Sequence, residues 1–193
     1  DGFGVKLALK YLEAEKITPE VLYANQFKYK LGQAVLVPFQ GDDGGYSHEN
    51  NAGYQLLINY RGPAKSFRRI NITEVLANQI PEGLMRDRII FIGASALSLN
   101  DLYYSPYSST LFQNPERMSG VEIHANITSQ LLSAAILGRP MIKSWNEPLE
   151  WLWILGWSVI GAALTWMQRD TGTGMRRSLL LIATLILAGS SLI

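Results

Sequence analysis

The chain has 193 residues, 17 Lys+Arg against 16 Asp+Glu, a formal net charge of +1 and no cysteine. Balanced charge without a basic stripe or block gives no footprint for nucleic acid. Without cysteine there is no disulfide, no thiolate zinc site and no thiol nucleophile.

The first 148 residues are enough for one domain with a real core, and they alternate between helical and strand patterns. Phe3 to Ala14 places Val5, Ala8, Leu9 and Leu12 at helical spacing, and Thr18 before Pro19 predicts a short turn or helix. Phe27, Tyr29 and Leu31 alternate with Lys28 and Lys30, as in a half-buried strand. Gly32-Gln33 then turns the chain into Ala34 to Phe39, with Pro38 marking that second strand as an edge. Gly41 to Gly53 reads as loop. Its Asp42 and Asp43 lack the spacing of a calcium loop, and His48 with Glu49 is too small a set for a metal site.

Tyr54 to Tyr60 (YQLLINY) is a strand candidate ended by Arg61-Gly62-Pro63. Thr73 or Asn71 caps a short helix through Asn78, and Arg88 to Ile92 (RIIFI) reads as an apolar strand ending at Gly93. Strand, helix and strand predict a right-handed crossover with the two strands parallel. Ser119-Gly120-Val121-Glu122 is a capping box for a helix to about Leu137, stopped by Gly138 and Pro140. The fold class expected is therefore α/β, a mixed-sheet domain over residues 1–148 followed by membrane helices.

Trp151 to Met167 (WLWILGWSVIGAALTWM) is seventeen residues without a charge, and a second apolar run, Ser178 to Ile193, follows a polar link. A span needs about 20 apolar residues, with a range down to about 17. We expect transmembrane helices over 149–167 and 178–193, the second cut short at Ile193, joined by a loop over 168–177. Arg169, Arg176 and Arg177 in that link predict a cytoplasmic loop, so that residues 1–148 lie outside the cell membrane. Trp151, Trp153 and Trp166 are the expected anchors at the membrane interfaces. Export of the outer part without a leading signal peptide implies a further membrane helix upstream.

Several segments occur in a telling order: INYRGP at 58–63, TEVL at 73–76, RDRIIFIGA at 86–94, Asn100-Asp101 with Ser105-Pro106-Tyr107, and GVEIHAN at 120–126. The chain resembles the type-two CHASE domain, an extracellular sensory domain associated with cyclases and histidine kinases. The tail with Trp151, Trp153 and Trp157 is most similar to cyanobacterial members. The resemblance implies a sensory head, membrane helices, and a cytoplasmic effector in cis such as a cyclase, kinase or CHAT-type protease. It implies no cofactor and names no ligand.

Candidate ligand-binding residues therefore come from the pattern itself. In α/β sheets, ligands favour the carboxyl ends of strands beside helix N-termini. Asp101, Glu122, His124 and Asn126 are expected to converge there, with Arg61 meeting a ligand carboxylate or Asp101. The alternative is structural: Glu122 as a cap, His124 in the core and Arg61 in an ion pair. No catalytic residue is assigned, because there is no Walker loop and Gly93-Ala94-Ser95-Ala96-Leu97 lacks the second glycine of a nucleophile elbow. No metal is expected. The reading is a membrane receptor for an unknown small molecule or envelope stimulus, with the lipid bilayer as partner and a homodimer of heads as another route of coupling. A membrane-tethered enzyme and a passive anchor with a degenerate head are the rival readings.

Overall fold

The computed structural model describes residues 2–96, 98, 100–108 and 116–169, the last three by backbone alone. They form two compact units: residues up to Phe39 with Asn51–Lys143, and Gln40–Asn50 with the chain from Ser144 onward.

The first unit is built on two helices and a hairpin. Helix α1 (Phe3–Ala14) buries Gly4, Ala8 and Leu12, with Val5 and Leu9 packed beside them, as the spacing predicts. The strand after Pro19 differs from the expected helical turn. Pro19–Tyr23 is β1, which suits its Val, Leu and Tyr and places Pro at the first strand position. It pairs antiparallel with β2 (Lys28–Leu31), setting Pro19 opposite Leu31 and Val21 opposite Tyr29. Phe27 falls outside β2, because it takes a left-handed φ of 49° at the end of a short 3-10 turn. β2 turns through Gly32 (φ 57°) into β3 (Ala34–Leu36), the other edge of a three-stranded sheet.

Helix α3 (Gly120–Leu137), which follows the five-residue α2 (Ile72–Leu76), organises this unit. Its Leu131, Ala134 and Ala135 meet Ala8 and Leu12 of α1 and Leu31, Ala34 and Leu36 of the hairpin in one core. The α3 C-terminus ends on Gly138 in a left-handed conformation, as expected. Four carbonyls of its last turn are claimed: Ser133 O by the Arg139 amide, Ala134 O by Gly138, Ala135 O by the Gln33 amide and Ile136 O by the Gln33 side chain. The hairpin turn thus caps the helix. A two-residue pair, β4 (Leu102–Tyr103) with β5 (Met118–Ser119), is also antiparallel.

The predicted parallel crossover is not present among the described residues. Neither 54–60 nor 88–92 joins a ladder. Within RIIFI, Phe91 packs edge-on against Phe3 (6.1 Å), whereas Ile92 is 91% exposed.

The second unit holds the loop 40–50 and α4 (Glu147–Arg169). Residues Glu147–Trp166 form a 20-residue stretch of mean hydropathy 1.3, none of it buried, long and apolar enough to cross a bilayer by length and composition. Its two hydroxyls bond back to the helix, Ser158 to Ile154 O and Thr165 to Gly161 O, so neither is left unpaired on the apolar surface. Trp145, Trp153 and Trp157 stack edge to face at 5.7 and 5.4 Å. The link 170–177 with Arg176 and Arg177, and the second apolar run, lie outside the described residues, as does the Arg169 side chain.

Gly4 sets the spacing of α1 and α3. A Cβ there would stand 2.7 Å from His124 O, while the Gly4 carbonyl accepts from Thr128 Oγ1 at 2.8 Å. Gly4→Ala should therefore lower stability by about 1–3 kcal/mol despite the better helix propensity of Ala. Gly2→Ala, with nothing within 4 Å of the new Cβ, should cost much less. Urea unfolding followed by circular dichroism measures both.

Candidate functional site: the polar face of helix α3

One face of α3 is apolar and joins the core; another carries Glu122, Asn126, Gln130 and Ser133, all buried. Spacings of four, four and three residues align them along the helix. Buried polar groups need partners, and these come from the chain segment Leu57–Arg69.

Gln130 binds both ways, its Nε2 donating to Leu57 O (3.0 Å) and its Oε1 accepting from the Asn59 amide (3.0 Å). Asn126, only 1% exposed, accepts from the Arg61 amide at 2.9 Å and donates to Glu122 O and to Met118 Sδ. The Glu122 carboxylate takes the Lys65 amide on one oxygen and the Arg69 guanidinium on the other. The Arg61 guanidinium reaches Ser133 Oγ (3.2 Å), and Arg139 closes the far end on Asn59 Oδ1 and Tyr60 O. These bonds explain why YQLLINY is not a ladder strand. Side-chain amides of a helix supply the hydrogen bonds that a neighbouring strand would have given.

The structure therefore brings together three of the expected residues, Arg61, Glu122 and Asn126. The other two stand elsewhere. His124 is two positions from both Glu122 and Asn126, which turns it to the opposite side of the helix. Its ring meets Phe3 of α1 edge-on at 5.6 Å, and its buried Nδ1 has no hydrogen-bond partner. Asp101 precedes β4, where its carbonyl accepts from the Gly120 amide and its carboxylate occupies the space that a Cβ at position 120 would need. There a carboxylate favours the positive end of α3. Arg61 bonds Ser133, not Asp101.

The capping box does not form either. Ser119 makes no side-chain bond to the helix, and the Glu122 carboxylate is committed to Arg69 and Lys65. Sequence reasoning missed Asn59, Lys65, Arg69, Gln130, Ser133 and Arg139. A signal for two of them was present: polar residues at 122, 126, 130 and 133 on one side of a helix whose other side is Leu and Ala. No group of three or more His, Asp or Glu fit to hold a metal occurs among the described residues. Chemically, the site holds a segment of backbone in one register, with an ion pair at one end and two arginines at the other.

The family profile of the CHASE2 domain matches residues 1–163. The chain belongs to the CHASE2 domain family. No curated protein and no solved structure matches it. CHASE2 is a sensory, non-catalytic domain found on the extracytoplasmic side of membrane signalling proteins, which supports a sensory role for this segment and is consistent with no enzyme activity in it. The match covers the α3 suture and runs most of the way along α4.

If the Asn126 amide holds the Leu57–Arg69 segment of this CHASE2 domain, Asn126→Ala should cost about 1–3 kcal/mol, since the Arg61 amide loses its acceptor. Ser119→Ala should cost less, because no cap bond exists to be lost, where a true N-cap loses about 1 kcal/mol. Reversed sizes in thermal melts would show that the cap, and not the suture, secures this end of α3.

One tyrosine, Tyr54, precedes the sutured segment and another, Tyr60, lies within it. Burial, with the neighbouring Tyr29 adding repulsion, pushes Tyr54 up from 10.0 to about 12, and burial also raises Tyr60. The folded chain then keeps protons that the unfolded chain releases near pH 10.0. The Tyr54 contribution is whole below that pH and is lost as pH rises through about 12. Tyr54→Phe should flatten the alkaline fall of stability in urea titrations between about pH 10 and 12.

Proposed function

We propose that this chain is the outer sensory head and first membrane span of a bacterial signalling protein. The head receives a small molecule or an envelope stimulus and passes a conformational bias through α4 to a cytoplasmic effector in the same polypeptide. The observation that carries this reading is α4 itself. An apolar 20-residue helix with no buried residue lies largely within the CHASE2 match. Trp151 and Trp153 at one end and Trp166 at the other suit the two headgroup regions, and Arg169, Arg176 and Arg177 follow on the side where basic residues are retained. Residues 1–148 are then extracytoplasmic and the link 168–177 cytoplasmic. Arg61, Glu122 and Asn126 are the residues whose bonds a stimulus would exchange.

Thiol labelling of intact cells tests the topology, helped by the absence of cysteine from these 193 residues. A cysteine in place of Gly45, where a side chain meets nothing within 4 Å, should react with an impermeant reagent once the outer membrane is permeabilised. A cysteine in place of Thr173 should be shielded until the cells are lysed. The reverse pattern would remove the sensor reading.

Signal transfer follows from continuity of the chain. Residues 139–146 join α3 to α4; Pro140 fixes one backbone angle in that link and Pro148 one in the first turn of α4. A flexible Gly-Ser insertion after Lys143 in the full-length protein should leave the head folded and uncouple the effector from its stimulus. Unchanged coupling across several insertion lengths would favour dimerisation of heads as the route.

A further inference from the structure

The segment Gln40–Asn50 reads in sequence as a solvated connection, rich in Gly and Asp. It is closed and internally bonded instead. The Glu49 amide donates to Gly41 O (3.0 Å), the Asp43 amide to Gln40 O (3.0 Å) and the Tyr46 amide to Asp43 O (3.2 Å). Asp42 Oδ1 accepts from the His48 amide and Asp43 Oδ2 from the Gln40 amide, both at 2.8 Å. A short loop with joined ends and its own hydrogen bonds is an Ω-loop, a class that is frequently functional.

The second oxygen of Asp43 is used differently. Asp43 Oδ1 accepts from the hydroxyl of Ser144 at 2.7 Å, across 101 positions of sequence. Ser144 lies just ahead of α4, next to Trp145, whose ring stacks on Trp153. The loop belongs to the same compact unit as α4, yet its two ends are covalent continuations of the sensory unit. At one end it leaves β3, whose Leu36 is in the core; at the other it leads into Leu57–Arg69, the segment sutured to α3.

We propose that the loop Gln40–Asn50 is a brace that clamps the root of α4 through Asp43 and Ser144. It gives the sensory unit a second route to the span, beside the linker 139–146. This rests on reading α4 as the output helix. A carboxylate accepting from a hydroxyl is a charge-assisted bond, stronger than a neutral one. With the loop closed on itself, a displacement of β3 or of the sutured segment reaches Ser144 without being absorbed in slack chain.

All five tryptophans, Trp145, Trp151, Trp153, Trp157 and Trp166, fall in the α4 region, so tryptophan fluorescence of the native chain reports on that region alone. In this 193-residue chain in lipid nanodiscs, Asp43→Ala and Ser144→Ala should each raise hydrogen exchange over 143–150 by about tenfold, as expected for one charge-assisted bond. Each should also raise acrylamide quenching. The double variant should do no more than either single one, because both remove the same bond. Ser144→Thr should restore the native values. Unchanged exchange, or additive effects, would overturn the brace. Should Asp43→Ala disturb the fold of α3, Ser144→Ala alone decides, since it removes only a hydroxyl at the far end. A mild core change in β3, Leu36→Val, should alter quenching in the native chain and lose most of that effect beside Asp43→Ala. An equal effect in both backgrounds would leave the linker as the sole route and overturn the proposal. None of these readouts uses a stimulus or an effector, so the brace and the sensor reading fail separately.

Discussion

Helix α3 has to satisfy two solvents at once, and the rest of the first unit follows from how it does so. Its apolar side closes the core with α1 and the hairpin, a contact set by volume and tolerant of small shifts. Its polar side is intolerant. Leaving one buried donor or acceptor unpaired costs about 1–3 kcal/mol, so Glu122, Asn126 and Gln130 accept only the register in which the amides of Lys65, Arg61 and Asn59 meet them. Residue numbers fall along the helix as they rise along the segment. A slip by one residue would present carbonyls where amides are needed. The apolar side gives the unit its stability, and the polar side makes its arrangement unique.

Features governed by nearby residues were legible in the sequence. The α1 face, the Gly32-Gln33 turn and the stop at Gly138 depend on spacing or on backbone freedom, and each stands where expected. Features governed by distant partners were not. YQLLINY has the composition of a strand, but composition does not say what will take its hydrogen bonds, and a helix takes them here. Ser119 and Glu122 fit a capping box by spacing. A guanidinium and an amide from 53 and 57 positions away compete for the same carboxylate and win. β1 was hidden by Thr18-Pro19, which opens helices and strands alike.

The candidate residues divided along the same line. Reading Asp101, Glu122, His124 and Asn126 as one cluster ignored helical phase, which sets His124 apart from the other two by half a turn. Arg61 was placed at the suture by its backbone amide as much as by its side chain, and a sequence gives no sign of that.

A sensor needs a part that moves and a part that moves with it. Gln33 ties the hairpin to the last turn of α3 through both its amide and its side chain, so β2, β3 and α3 form a single body down to Gly138. A stimulus biases such a body only through a difference in interaction between its two states. The apolar core offers little difference, because close-packed side chains resist rearrangement. The suture would offer one under the proposed function, since the ion pair of Arg69 with Glu122 and the contact of Arg61 with Ser133 could each be exchanged for a ligand's own polar groups. Exchange at Arg69 would free the segment that leads back to the loop 40–50, whereas exchange at Arg61 would act on the C-terminal half of α3. On the proposed reading, the polar face of α3 would be the place where recognition and output share the same hydrogen bonds.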